Sequence, residues 1–92
     1  MCQNVFRIST DGTTCFKLAT NQFPGTLELK IYNSAGEHIR TLLSKQLSSP
    51  FYLQTITWDG TNKYGQQVAS GVYIVYLQKP FGRELTRLVV IR

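Results

Sequence analysis

An all-β sandwich or barrel is the fold class this sequence predicts. Short apolar segments recur along the chain with turn residues between them, which is the pattern of consecutive strands. Several of these segments alternate apolar and polar residues with period two. No segment sustains the 3.6-residue spacing of an amphipathic helix. At 92 residues the chain makes one domain, spanning 1–92, with no linker, internal repeat or low-complexity tract. A chain of this size buries only about 60–65% of its unfolded surface, so one modest core is available. Hydrophobic residues at 42% and charged residues at 16% describe a globular chain, because disorder needs the reverse balance.

Seven segments qualify as strands. Val5–Ile8 comes first and stops at Ser9-Thr10-Asp11-Gly12, a turn whose glycine suits positive φ. Cys15–Ala19 follows, with Phe16 and Leu18 on one face, and is expected to pair with the first strand as a hairpin. Asn21-Gln22-Phe23-Pro24-Gly25 breaks the pairing, since proline lacks an amide donor. Thr26–Tyr32 sends Leu27, Leu29 and Ile31 one way and Glu28 and Lys30 the other. Asn33–Gly36 turns the chain, His38–Leu43 returns, and Ser44–Pro50 reads as a polar loop. Phe51–Trp58 places Tyr52, Ile56 and Trp58 opposite Thr55 and Thr57, and Asp59–Gly65 is a glycine-bounded loop. Gly71–Leu77 is apolar on both faces, which predicts a central strand covered on both sides. After the Lys79–Arg83 hairpin loop, Leu85–Ile91 closes the chain.

Charge and cysteine usage exclude several classes. The ten basic and five acidic residues leave a net charge of +5, a mild excess spread along the chain. Lys79, Arg83, Arg87 and Arg92 lie on the last hairpin, but without the dense basic stripe and exposed aromatics of a nucleic-acid surface. Basic residues on terminal strands also oppose edge-to-edge aggregation. No apolar run approaches the ~18–20 residues of a membrane span, and the N-terminus has no apolar signal-peptide core. Cys2 and Cys15, with His38 as the single histidine, cannot complete a four-ligand zinc site. A hairpin of the first two segments would set Ile8 opposite Cys15, so two unpaired cysteines are expected rather than a Cys2–Cys15 disulfide. Cys2 directly after Met1 also has the position of a lipoprotein's acylated cysteine.

Catalytic groups are scarce. Any Ser-His-Asp or Cys-His arrangement must use His38, beside a turn where an exposed histidine is the ordinary outcome. Asp11, Glu37, Asp59 and Glu84 sit at or beside turns and Glu28 faces out beside Lys30, which argues against a glycosidase pair. The loop Asp59-Gly60-Thr61-Asn62-Lys63-Tyr64-Gly65 invites comparison with a calcium loop, but its fifth position is a cation. The structural alternative, Asp59 accepting hydrogen bonds within its own turn, is the favoured one. The chain is therefore expected to be no enzyme and to carry no metal or cofactor.

Ordered motifs then point to a family. Leu29-Lys30-Ile31-Tyr32-Asn33-Ser34-Ala35-Gly36 is an apolar-Tyr-Asn-x-x-Gly strand and turn. Trp58-Asp59-Gly60, then Gly65, then Ala69-Ser70-Gly71-Val72-Tyr73 follow in sequence. Together they resemble the FlgD-like Ig family, named after the flagellar hook-capping protein, most strongly over residues 23–92. One departure is Ser48-Ser49-Pro50-Phe51, where the family often has Ala-Gly before a His or Tyr. The resemblance implies an Ig- or fibronectin-III-like sandwich of about seven strands. It also implies a terminal accessory module of a secreted or cell-surface bacterial protein, partnered by a neighbouring domain or other copies of itself, or a tag for export. The motif residues Trp58, Asp59, Gly60, Gly65, Gly71 and Tyr73 have fold-building roles: a large apolar ring, backbone freedom at the glycines, and a tyrosine whose hydroxyl caps a backbone group.

Two surfaces remain as candidates for recognition. On the last strand Leu88 and Val90 share a face with Thr86 and Arg92, and Leu85, Arg87, Val89 and Ile91 form the other, a candidate docking face. Tyr64 and Phe81 lie in loops, where they are candidate stacking groups for a polysaccharide, the alternative function.

Overall fold

The computed structural model describes residues 5–20, 24–47 and 52–92. Its strands are β1 (Val5–Arg7), β2 (Thr14–Thr20), β3 (Gly25–Asn33), β4 (His38–Leu47), β5 (Tyr52–Trp58), β6 (Gly71–Lys79) and β7 (Gly82–Ile91), with one helical turn, α1 (Ile8–Asp11). They form a five-stranded sheet in the order β1-β7-β6-β3-β4 and a two-stranded sheet of β2 and β5. This is an Ig-like β-sandwich, the expected fold class. Every pairing is antiparallel except β1 with β7.

The core follows the alternation read from the sequence. On β3, Leu27, Leu29 and Ile31 are fully buried, and on β2 Phe16 and Leu18 meet them from the second sheet. Leu88 and Val90 of β7 and Tyr73 and Val75 of β6 complete the layer. Trp58, only 1% exposed, packs between Phe6 and Tyr73 with ring centroids 6.0 and 6.1 Å away. So large a ring gives this small core a sizeable apolar area from one side chain.

Several expectations need correction. β1 does not form a hairpin with β2. It crosses to the larger sheet and pairs parallel with β7, Phe6 beside Val90, while β2 pairs with β5 and sets Cys15 opposite Thr57. Sequential neighbours usually pair, but one helical turn at Ile8–Asp11 and Gly12 at φ 74° redirect the chain between layers. The register that argued for unpaired cysteines is therefore absent, and Cys15 is disulfide-bonded. Cys2, with its lipoprotein reading, lies outside the described residues, as do Asn21–Phe23, Ser48–Phe51 and the side chain of Tyr52.

The polar stretch after Leu43 stays in the sheet as far as Leu47. Its hydroxyl and amide groups are used across the pair, Thr26 Oγ1 donating to Gln46 Oε1 at 3.1 Å, and Leu47 is buried opposite Gly25. On β6, centrality holds but two-sided cover does not. Tyr73 and Val75 are buried while Val72 is exposed and Ile74 and Tyr76 are half-buried, because the second sheet lies on one side only.

Candidate functional site

One end of the sandwich is organised by the Trp58–Tyr73 segment. The Trp58 indole N–H donates to the Thr61 carbonyl at 2.8 Å, so the buried ring also anchors the loop that follows it. Asp59 Oδ1 accepts from the Thr61 amide at 3.1 Å and the Thr61 hydroxyl at 2.6 Å, the turn-internal role expected of it. Arg40 of β4 donates to the same hydroxyl at 2.6 Å and lies 3.6 Å from Asp59. The bond from the Thr61 hydroxyl, helped by the Thr61 amide and Arg40 and opposed by partial burial, holds the Asp59 carboxyl below the usual carboxylate range.

Gly60 is required on two counts. Its φ is +81°, and a Cβ there would meet Ile8 Cδ1 at 2.8 Å and Phe6 at 3.2 Å. Gly65 also has positive φ. Gly71 does not: its φ is ordinary and a Cβ would meet open space, so the expected steric need for glycine is absent there. Tyr73 donates its hydroxyl to the Ala69 carbonyl at 2.7 Å, the backbone-capping role its position suggests, and burial pushes that hydroxyl's pKa up.

Two turns at this end repeat one design. Asn33 Oδ1 accepts from the amides of Ala35 and Glu37, and Asn62 Oδ1 accepts from those of Tyr64 and Gln66. Each asparagine's side-chain amide donates to the carboxylate or amide oxygen four residues on, and each turn closes on a positive-φ glycine at its fourth position. Lys63 N–H to Ile39 carbonyl, 2.9 Å, ties the second turn to β4 beside the first. Sequence reasoning missed Thr61, Arg40 and this duplication. The signal was the recurrence of Asn-x-x-Gly-(Glu/Gln) at Asn33 and Asn62.

The other candidates are dispersed. His38 is exposed, its Nε2 2.9 Å from Thr41 Oγ1 and its ring edge-on to Tyr32. Among the described residues no group of three or more His, Cys, Asp or Glu side chains converges as a metal site. Tyr64 and Phe81 are 75% and 70% exposed but lie toward opposite ends of the 38 Å long domain. Tyr64 sits beside the start of β4 with Lys63 Nζ 5.5 Å from its ring centre, and Phe81 caps the β6–β7 turn. Roughly 17–20 Å of strand separates their levels, at about 3.3 Å per residue, so the two cannot form one stacking platform.

The outward face of the larger sheet is the continuous surface. Leu85 is 63% exposed, and Val89, Ile91 and Arg87 share its side of β7. Cross-strand register extends this side: Leu85 stands opposite Tyr76, Arg87 opposite Ile74, and Val89 opposite Val72. Ile74, Leu85, Thr86 and Arg87 line a shallow open depression. Tyr32 of β3 continues the apolar surface through an edge-on contact with Tyr76 at 6.2 Å.

With the Trp-Asp-Gly turn, the Tyr73 cap and the sandwich topology in place, comparison with known proteins assigns the family. The sequence pattern of the FlgD Ig-like domain matches residues 4–79. This chain belongs to the FlgD Ig-like domain family. No curated protein matches it. Among solved structures, this FlgD Ig-like domain is similar to part of dimeric latent PorU from Porphyromonas gingivalis. The TM-score is 0.60 at 24% identity, covering 86% of this chain and 8% of that one. It also matches part of PorZ, described as an essential bacterial surface component of the type-IX secretion system of the same organism. There the TM-score is 0.48 at 29% identity, over 72% of this chain and 8% of that one. The FlgD Ig-like domain thus spans about a twelfth of the length of either chain. No helix among the described residues is long and apolar enough to cross a membrane.

Proposed function

We propose that this FlgD Ig-like domain is a non-catalytic accessory module of a secreted or cell-surface bacterial protein, and that it works by packing its larger sheet against a neighbouring protein surface. The observation that carries the reading is the one-sided cover of β6 and β7: inward Tyr73, Val75, Leu88 and Val90 are core, while outward Val72, Leu85, Val89 and Ile91 are exposed. Contiguous apolar surface of this kind usually marks an interaction site. Family membership supports the secreted or surface setting and a role in assembly or export. The groups that could do chemistry, His38 and the carboxylates, are engaged in local turns and pairs or stand apart, which supports the non-catalytic part.

Hydroxyl-radical footprinting of the longer parent protein, compared with this 92-residue chain, tests the proposal. Leu85 and Tyr76 are expected to be protected in the parent and labelled in the chain alone. Equal labelling in both would remove the docking face from the domain's function.

A further inference from the structure

The docking reading leaves open what the surface recognises, and the charges around it narrow the answer. Resting on that reading, we infer that the outward face of β1, β7 and β6 binds a protein surface with an apolar centre and a carboxylate rim, not a second copy of this chain.

The apolar centre is built in cross-strand rows. Leu85 with Tyr76 forms one row and Val89 with Val72 the next, while Ile91 stands beside Arg7 of β1. Arginines occupy the gaps and margins of these rows. Arg83 lies one outward position before Leu85, Arg87 sits between Leu85 and Val89 opposite Ile74, and Arg7 closes the β1 side. All three are exposed, and among the described residues no ion pair engages any of them. Three carboxylates lie nearby: Asp11 Oδ2 accepts the Arg7 backbone N–H at 2.9 Å, Glu28, outward on β3, lies 3.7 Å from Lys30 Nζ, and Glu84 is bound by Lys79 at 2.8 Å from the inward side of β7. The face is therefore apolar with an excess of positive charge, centred on Arg83 and Arg87.

This composition decides between occupants. A second copy meeting the face symmetrically would bring arginine rims together, and like charges juxtaposed in an interface disfavour that partner. A carboxylate-rimmed surface instead meets guanidinium groups whose planar donors suit bidentate pairing. The five-stranded sheet fits another extended surface, since sheets pack face to face at about 10 Å.

The chain can supply its own probe. A copy carrying Arg7→Glu, Arg83→Glu and Arg87→Glu presents the same apolar rows with an acidic rim. In about 50 mM salt, where screening is weak, wild type and variant should each sediment as monomers while an equimolar mixture forms a heterodimer at least about tenfold tighter than either homodimer. Leu85→Thr with Val89→Thr in either copy should abolish it. Raising salt to about 1 M should weaken the heterodimer and let wild type begin to self-associate, a readout that needs no variant. A wild type that dimerises in low salt, or a mixture that stays monomeric, overturns the inference. So does wild type that sediments with phosphatidylglycerol vesicles while ignoring the acidic copy, because the occupant would then be an anionic lipid surface. Protection of Leu85 and Tyr76 in the parent alongside any of these results would leave the docking face standing and remove only its acidic partner.

Discussion

The two faces of the β6–β7 hairpin carry side chains of similar character and opposite fates. Inward, Leu88 and Val90 are sealed beneath the second sheet, and outward, Leu85 and Val89 of the same strand meet solvent. Composition does not separate them. What separates them is that β2 and β5 cover one side of a five-stranded sheet and nothing in the described chain covers the other. A strand apolar on both faces is thus covered on one side only by the described domain.

Substitutions can break or sharpen that contrast. The largest effect is expected inside, at Trp58→Ala, which removes the ring that joins Phe6, Tyr73 and the Thr61 carbonyl and should cost about 3–5 kcal/mol in urea unfolding. Leu88→Ala should cost about 2–5 kcal/mol while Leu85→Ala, earlier on the same strand but on the exposed side, stays within about 0.5 kcal/mol. Equal losses would mean that the face assignment is wrong.

Smaller effects test the end of the sandwich against its faces. Asn33→Ala and Asn62→Ala each remove a side chain that accepts two backbone amides, and each should lower stability by about 1 kcal/mol in thermal melts. Similar losses at the two sites would confirm that the turns are equivalent. Leu85→Thr with Val89→Thr should leave the melting temperature almost unchanged, since threonine suits a solvated strand position.

The smallest effect is a pH dependence. The folded state holds the Asp59 carboxyl below its unfolded value near 3.9, so its contribution is present above that value and lost as pH falls through the folded one. Because Asp59 is largely exposed, the change should be slight, and Asp59→Asn should flatten it in acid melts monitored by circular dichroism.

Much of this was legible in the residues. Leu27, Leu29 and Ile31 declared their buried face by period two, and Trp58, Asp59 and Tyr73 announced their roles through the local motif that contains them. The β1 pairing was not legible, because Val5–Arg7 is three residues long and carries nothing that distinguishes a hairpin with β2 from a parallel seat beside β7. Thr61 was overlooked because its importance lies in meeting Arg40 from a strand 21 residues away.

The sequence by itself determined which residues alternate, where the chain turns, and which family motifs it carries. These are properties of near neighbours along the chain, governed by pleat geometry and by the backbone freedom of residues such as Gly60. Only the tertiary structure decided which of two apolar faces became core, how β1 was placed, and that Arg7, Arg83 and Arg87 share one surface with Leu85. Those outcomes depend on which strands pair and which sheet covers which side, and such long-range choices leave no periodic mark on any single segment.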